Sequence, residues 1–114
     1  YTDLSSKAMV EKAVEELKKS GVECILCQDD YICDEAVRKL SHMGVRIPDQ
    51  MKVASCHYSR ILENYPVTVT SLKFNITELG RRSCQVLLDM IHGKTVPDKT
   101  LLDYEIILKE STKG

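Results

Sequence analysis

Apolar positions along the chain recur at two spacings, the 3.6-residue period of a helix and the two-residue period of a strand, and the switches between them mark its elements. Met9, Val10, Ala13, Val14 and Leu17 fall on one helical face, which predicts an amphipathic helix of about four turns. Ser5 or Ser6 stands where an N-cap belongs, and Gly21 stands where the helix ends. Val22, Cys24, Ile25, Leu26 and Cys27 follow as an apolar run too short for another helix. It predicts a buried, central strand. Asp29 or Asp30 then caps a second helix with Ile32, Ala36, Val37 and Leu40 inward, stopped by Gly44. Val45 to Pro48 leads on to a strand near Met51 to Cys56.

In the second half, a loop through Pro66 precedes the extended stretch "TVTSL". Thr77 is placed to cap a third helix, with Leu79, Val86, Leu87 and Ile91 inward and Gly93 at its end. Leu102, Tyr104, Ile106 and Leu108 alternate, the pattern of a half-buried strand. No repeat or low-complexity segment interrupts this alternation. It predicts an α/β fold: a three-layer, mostly parallel sheet flanked by helices.

With 114 residues the chain is one domain at most. Sixteen Lys and Arg balance seventeen Asp and Glu, which gives no bulk electrostatic reason to bind nucleic acid or a membrane surface. No apolar run approaches a membrane span, and the start lacks the layout of a signal peptide. A cytoplasmic protein is expected. Five cysteines, an odd number outside any small-secreted-domain pattern, suit reduced thiols better than a disulfide framework. The chain begins with Tyr1, and we expect it to be a piece of something longer.

Chemistry concentrates in "CILCQDDYICDEA", residues 24–36. Cys24 and Cys27 have CxxC spacing, but side chains three apart on a strand project to opposite faces and no glycine supplies a knuckle turn. Buried free thiols are expected, with no metal and no cofactor. His42 and His92 lie near helix C-termini, where partial negative charge suits an imidazole. Asp29 and Asp30 end a predicted parallel strand and open a helix, the place where open α/β sheets bind ligands. One of them caps the helix; the other is expected to face a cleft. His57 and Tyr58 follow the next strand at the equivalent edge, so the two strand ends would offer acid, imidazole and phenol to one crevice. A phosphoacceptor receiver domain also ends a strand in paired acids, but it needs a later aspartate where this chain has Cys56 and His57. The chain lacks a G-x-S-x-G elbow, a Walker loop and a G-x-G-x-x-G. Binding is favoured over catalysis; an enzyme with Asp29 and His57 as acid and base is the weaker reading.

In order, "ILCQDDYICDEAVRKLSHMGVRIPDQMKVASCHYS", "VTVTSLKFNITELGRRSCQVLLDMIHGK" and "EIILKEST" resemble the C-terminal part of the effector-binding domain of lactose-repressor-type (LacI/GalR) transcriptional regulators. The resemblance covers at least residues 22–112. It implies a periplasmic-binding-protein-like type I fold, with an effector held between two lobes. It also implies that about 1–70 form the C-terminal lobe, 71–95 belong to the N-terminal lobe, and 100–110 return to the first as a strand. The family's effector-contacting Asn falls on Asp29, and its second effector contact, an aspartate, falls on His57, because "ASCHYS" replaces the Gly-aromatic-Asp pattern. A homodimer or higher oligomer is implied too, with Ile32, Ile61, Leu62 and Tyr65 at its interface. Operator DNA would be bound only through a headpiece that these residues do not include. The expected ligand is a sugar-like small molecule. A periplasmic-type small-molecule-binding transport protein of the same fold is the alternative.

Overall fold

The computed structural model describes residues 4–63 and 67–114. Helix α1 spans Leu4–Lys19, strand β1 Cys24–Cys27, helix α2 Asp30–His42 and strand β2 Lys52–Ser55. A 3-10 turn at Arg60–Glu63 leads to β3 (Thr70–Phe74), α3 (Ile76–Ile91) and β4 (Tyr104–Ile107), and a second 3-10 turn at Glu110–Thr112 follows. The strands form one sheet in the order β1-β2-β3-β4. β1 pairs with β2 and β2 with β3 in parallel, while β3 and β4 run antiparallel. The sheet is mostly parallel, as the alternation predicts.

Local chemistry accounts for most boundaries. Asp29 takes the N-cap of α2, its Oδ1 accepting a hydrogen bond from the Ile32 N–H at 2.8 Å, which satisfies a donor the helix itself cannot. α2 stops at Gly44, whose φ of 70° is easy for glycine and costly for other residues. Two caps differ from expectation. Helix α1 already includes Leu4, so Ser5 and Ser6 lie within its first turn rather than before it. Helix α3 starts earlier than Thr77: Asn75 caps it, Oδ1 accepting from the Glu78 N–H at 3.0 Å, because an Asx side chain spans to the N3 amide more favourably than Thr.

α1 and α2 both pack on one face of the sheet. Ile25 and Cys27 of β1 and Val53 of β2 point into a core with Val14 of α1 and Cys33, Ala36, Val37 and Leu40 of α2. Lys39 of α2 reaches Glu15 of α1 at 2.6 Å across the seam between the helices. The C-terminal tail is fastened by a fully buried hydroxyl: Ser111 Oγ donates to the Val53 carbonyl at 2.6 Å and accepts from the Thr70 N–H at 2.9 Å. This bond spans 58 residues of sequence and ties the tail to β2 and β3.

The opposite face of the sheet is covered only in part among the described residues: the tail at 109–112 buries Thr70, and Ala54 and Leu72 are half-buried. The strand registers place Leu26, Ala54, Leu72 and Ile106 on that face, and Phe74 beside Tyr104. Leu26 is 67% exposed and Ile106 59%. β1, expected to be central, is therefore an edge strand covered on one side only. Its continuous apolar run is the signature of a strand covered on both faces, and the second cover, the expected third layer, is not supplied by the described residues. β4 departs likewise: Tyr104, Ile106 and Leu108 are exposed rather than half-buried.

Helix α3 departs most. None of its residues is buried, and Leu79, Leu87, Leu88, Met90 and Ile91 are all exposed. Its described neighbour is the returning segment, with Pro97 and Leu102 bordering a shallow hollow of about 360 Å³ beside Leu79, Val86 and Met90. The radius of gyration is 17.8 Å, against about 13 Å for a compact domain near this size. α3 projects from the body instead of packing on it, and its stripe, predicted to face inward, borders only the returning segment among the described residues.

Candidate functional site

Parallel pairing sends β1 and β2 out of the sheet side by side. Cys27 stands opposite Ser55, and the Cys56 N–H donates to the Cys27 carbonyl at 2.8 Å. The residues that follow, Gln28-Asp29-Asp30 and Cys56-His57-Tyr58, therefore emerge at the same carboxyl edge. The turn after β2 is held by Ser55, whose buried hydroxyl donates to the His57 carbonyl at 2.8 Å and accepts the His57 N–H at 3.2 Å. The Tyr58 N–H then donates to the Leu72 carbonyl at 2.8 Å, which binds the turn to β3.

His57 and Tyr58 share an open hollow of about 730 Å³ with Lys73, Phe74 and Asn75 from the end of β3 and with Asp103 and Tyr104 from β4. The His57 ring lies over Phe74, centroids 6.5 Å apart and planes 30° apart. Lys73 Nζ stands 5.6 Å from the centre of the Tyr58 ring, within range of a cation–π attraction. The Tyr58 hydroxyl is hydrogen-bonded to Glu63; that bond, with desolvation and the Glu63 charge, raises its pKa and keeps it a neutral phenol. The hollow thus has an aromatic floor and a rim of mixed charge. Arg60, Lys73, Asp103 and Glu105 all line it, Lys73 and Glu105 as register partners on β3 and β4. Such a surface combines apolar ring faces with hydrogen-bond donors and acceptors.

Asp29 and Asp30 do not line this hollow. Asp29 spends one carboxylate oxygen on the α2 cap. With Asp29 as the cap, the expectation that the other carboxylate faces a cleft falls on Asp30, which is 8% exposed and accepts from the Tyr31 N–H at 3.1 Å. Of the interface candidates, Ile32 is exposed and Ile61 half-buried. Leu62 is 2% exposed and belongs to the chain's own core; the 3-10 turn at 60–63 rolls it inward. Tyr65 lies outside the described residues. Sequence reasoning missed Lys73, Phe74, Asp103 and Tyr104. Their signal is the "SLKF" and "DYEI" strands, whose antiparallel register sets Phe74 opposite Tyr104, and register between strands thirty residues apart is a tertiary property.

The cysteines divide. Cys24 and Cys84 are exposed, Cys56 is half-buried, and Cys27 and Cys33 are buried, so the expectation of buried thiols holds for the last two and fails for Cys24 and Cys84. Cys24 and Cys27 do face opposite sides of β1, one out and one in. No group of three or more metal-ligating side chains occurs among the described residues. No described helix is long and apolar enough to cross a membrane.

Residues 2–112 match the profile of a family described as periplasmic binding protein-like domain. The HTH-type transcriptional repressor MelR of Bacillus subtilis (strain 168) is 25% identical over 89 residues, 78% of this chain and 26% of that protein. The transcription regulator CcpA of Lactococcus lactis superposes with a TM-score of 0.86 at 22% identity, covering 94% of this chain and 40% of that one. A transcriptional regulator CelR–cellobiose complex superposes with a TM-score of 0.81 at 25% identity, over 92% of this chain and 33% of the other. The chain spans about a quarter of the curated relatives' length.

Proposed function

The chain belongs to the periplasmic binding protein-like domain family, and from that premise we propose that it is the effector-sensing and dimerisation part of a LacI-type transcriptional regulator. Its curated relatives are HTH-type regulators, which favours this reading over a transport protein and over an enzyme, and goes with a cytoplasmic setting. The observation that carries the sensing role is the hollow at the carboxyl edge, where His57 lies on Phe74 beside Tyr58 and Lys73. Ligands of open α/β sheets bind at that edge.

A sugar-like effector fits the aromatic floor. The relative solved with cellobiose supports that class. His57 sharpens it: where the family resemblance places an aspartate that accepts hydroxyl hydrogens, a neutral imidazole offers one donor and one acceptor, and an imidazolium offers donors only. With Lys73 and Arg60 on the rim, an anionic or carbonyl-rich sugar is preferred to a simple neutral one. Asp29 and Asp30 join the site at the neighbouring strand end when the effector fills the crevice between lobes. In this reading α3 and the residues after it to about 95 belong to the second lobe, while residues 71–74, expected there too, stay in β3 within the sheet of the first; Ile32 and Ile61 contact a second copy. Operator DNA is reached through a separate headpiece.

Calorimetric titration of the intact protein carrying this chain with glucose, cellobiose and glucose 6-phosphate tests it. The phosphorylated sugar is expected to bind at least about tenfold more tightly than glucose, a difference of about 1.4 kcal/mol, and His57→Ala to remove the preference. Tight binding of glucose that His57→Ala leaves unchanged would refute the site.

A further inference from the structure

Tyr58 enters the hollow at the carboxyl edge pinned at both ends. Its backbone N–H donates to the Leu72 carbonyl at 2.8 Å, and its hydroxyl donates to the Glu63 carboxylate. Glu63 is anchored in turn, because it closes the 3-10 turn Arg60–Glu63, where Leu62 is 2% exposed within the core and its N–H donates to the Ser59 carbonyl at 3.2 Å. The ring held between these two points carries Lys73, whose Nζ stands 5.6 Å from its centre. We propose that Glu63, which does not itself line the hollow, is a specificity-determining positioning residue: through Tyr58 it fixes the Lys73 ammonium where the anionic group of an effector binds. The inference rests on the sensing role proposed above and adds the part that sets its preference.

Lys73 lies on the exposed end of β3, and a lysine with nothing to hold it spreads its charge over many rotamers. Two partners compete for it. One is the face of the Tyr58 ring, which attracts the ammonium without neutralising it. The other is Glu105, its register partner on β4, which would cancel its charge; the two form no ion pair among the described residues. A phenol fastened at its far end does not swing away, so the cation keeps its place in the hollow it shares with His57. An effector anion then meets a charge already in position, and less ordering cost is left for the binding step. The Tyr58 hydroxyl serves as the fastening: its proton is committed to Glu63, and only its oxygen remains to accept from a ligand.

The sign of one substitution separates positioning from bulk charge. Glu63 is an anion beside a hollow that takes anions, so removing its charge alone would strengthen anion binding by relieving repulsion. Acting by position, it has the opposite effect: Glu63→Ala weakens anion binding, because the ring and then the lysine lose their place. Glu63→Gln removes the charge and keeps an acceptor oxygen for the phenol. Tyr58→Phe keeps the charge and the ring and loses only the fastening.

The test titrates the intact protein carrying this chain, and each variant, with glucose 6-phosphate and with glucose by calorimetry. Glu63→Ala and Tyr58→Phe are each expected to reduce the preference for the phosphorylated sugar at least about threefold, the scale of one exposed cation–π contact, with no further loss when combined. Glu63→Gln is expected to restore it. A second readout needs no ligand: with tyrosine labelled at Cζ and the signal assigned by Tyr58→Phe, the Tyr58 phenol is expected to ionise above the ordinary tyrosine range, as its bond to Glu63, desolvation and the Glu63 charge require, and to return toward that range in Glu63→Ala. A preference that persists or grows in Glu63→Ala overturns the inference and leaves the sensing site standing. A Tyr58 phenol that titrates alike in both proteins overturns it too. Absence of any preference in the unaltered protein instead refutes the anion selectivity of the site itself, and the inference falls with it.

Discussion

Helix α2 buries Cys33, Ala36, Val37 and Leu40 among its thirteen residues, whereas α3, with sixteen residues and a comparable stripe of Leu79, Val86, Leu87, Met90 and Ile91, buries none. Both helices are capped by an Asx side chain, and both end just before a glycine. Their local instructions are equivalent. The difference lies in what faces them: α2 sits over β1 and β2 and against α1, while α3 is bordered by a returning loop. An amphipathic pattern specifies that a face is to be covered, and says nothing of what covers it.

Core truncation should separate the two helices most. Leu40 is fully buried, so Leu40→Ala is expected to cost about 2 to 5 kcal/mol. Leu87 is 57% exposed, and Leu87→Ala should change the stability of this chain by no more than about 0.5 kcal/mol. Urea denaturation of both variants measures the contrast. Similar losses would mean that the α3 stripe is covered in solution, by a second copy or by the sheet, and light scattering across a dilution series tells those apart.

Cap removal is the next sharpest probe. Asp29→Ala should cost about 1 kcal/mol of global stability, because α2 unfolds with the core. Asn75→Ala removes an equivalent bond from α3, yet it should lower helical circular dichroism and leave the denaturation midpoint of the body in place. A shift of that midpoint equal to the one caused by Asp29→Ala would show that α3 is coupled to the core.

The smallest effect concerns pH. Hydrogen bonds from Arg81 and Arg82 hold the Glu78 carboxyl down to about 2 from an ordinary 4.5. A carboxylate whose folded pKa is depressed stabilises the structure above its unfolded pKa and ceases to do so as pH falls through the folded one. The contribution of Glu78 to the first turn of α3 is therefore complete above pH 4.5 and fades toward pH 2. Helicity followed by circular dichroism should drop in that window, and the part due to Glu78 should vanish in Glu78→Gln. Because the cluster is solvent-exposed, added salt should weaken it further.

Much of this molecule was legible one residue at a time. The periods at 9–17 and 32–40, the Asp29 cap and the stop at Gly44 follow from steric and hydrogen-bonding preferences that act over a few residues. So does the emergence of Asp29 and His57 next to strand ends. The same pattern predicts burial at Leu26, Ile106 and Leu87, and there it departs from the structure, where all three are exposed.

Only the tertiary structure decided which demands the described residues meet. Ile25 and Cys27 find α1 and α2, while Leu26, one residue away, stays in water. Likewise, the hollow beside His57 depends on Phe74 standing opposite Tyr104, a register between segments thirty residues apart. Apolar attraction is non-directional and scales with area, so the sequence can state how much surface wants cover. Which surface provides it is settled by chain geometry and by hydrogen bonds as distant in sequence as Ser111 to Val53.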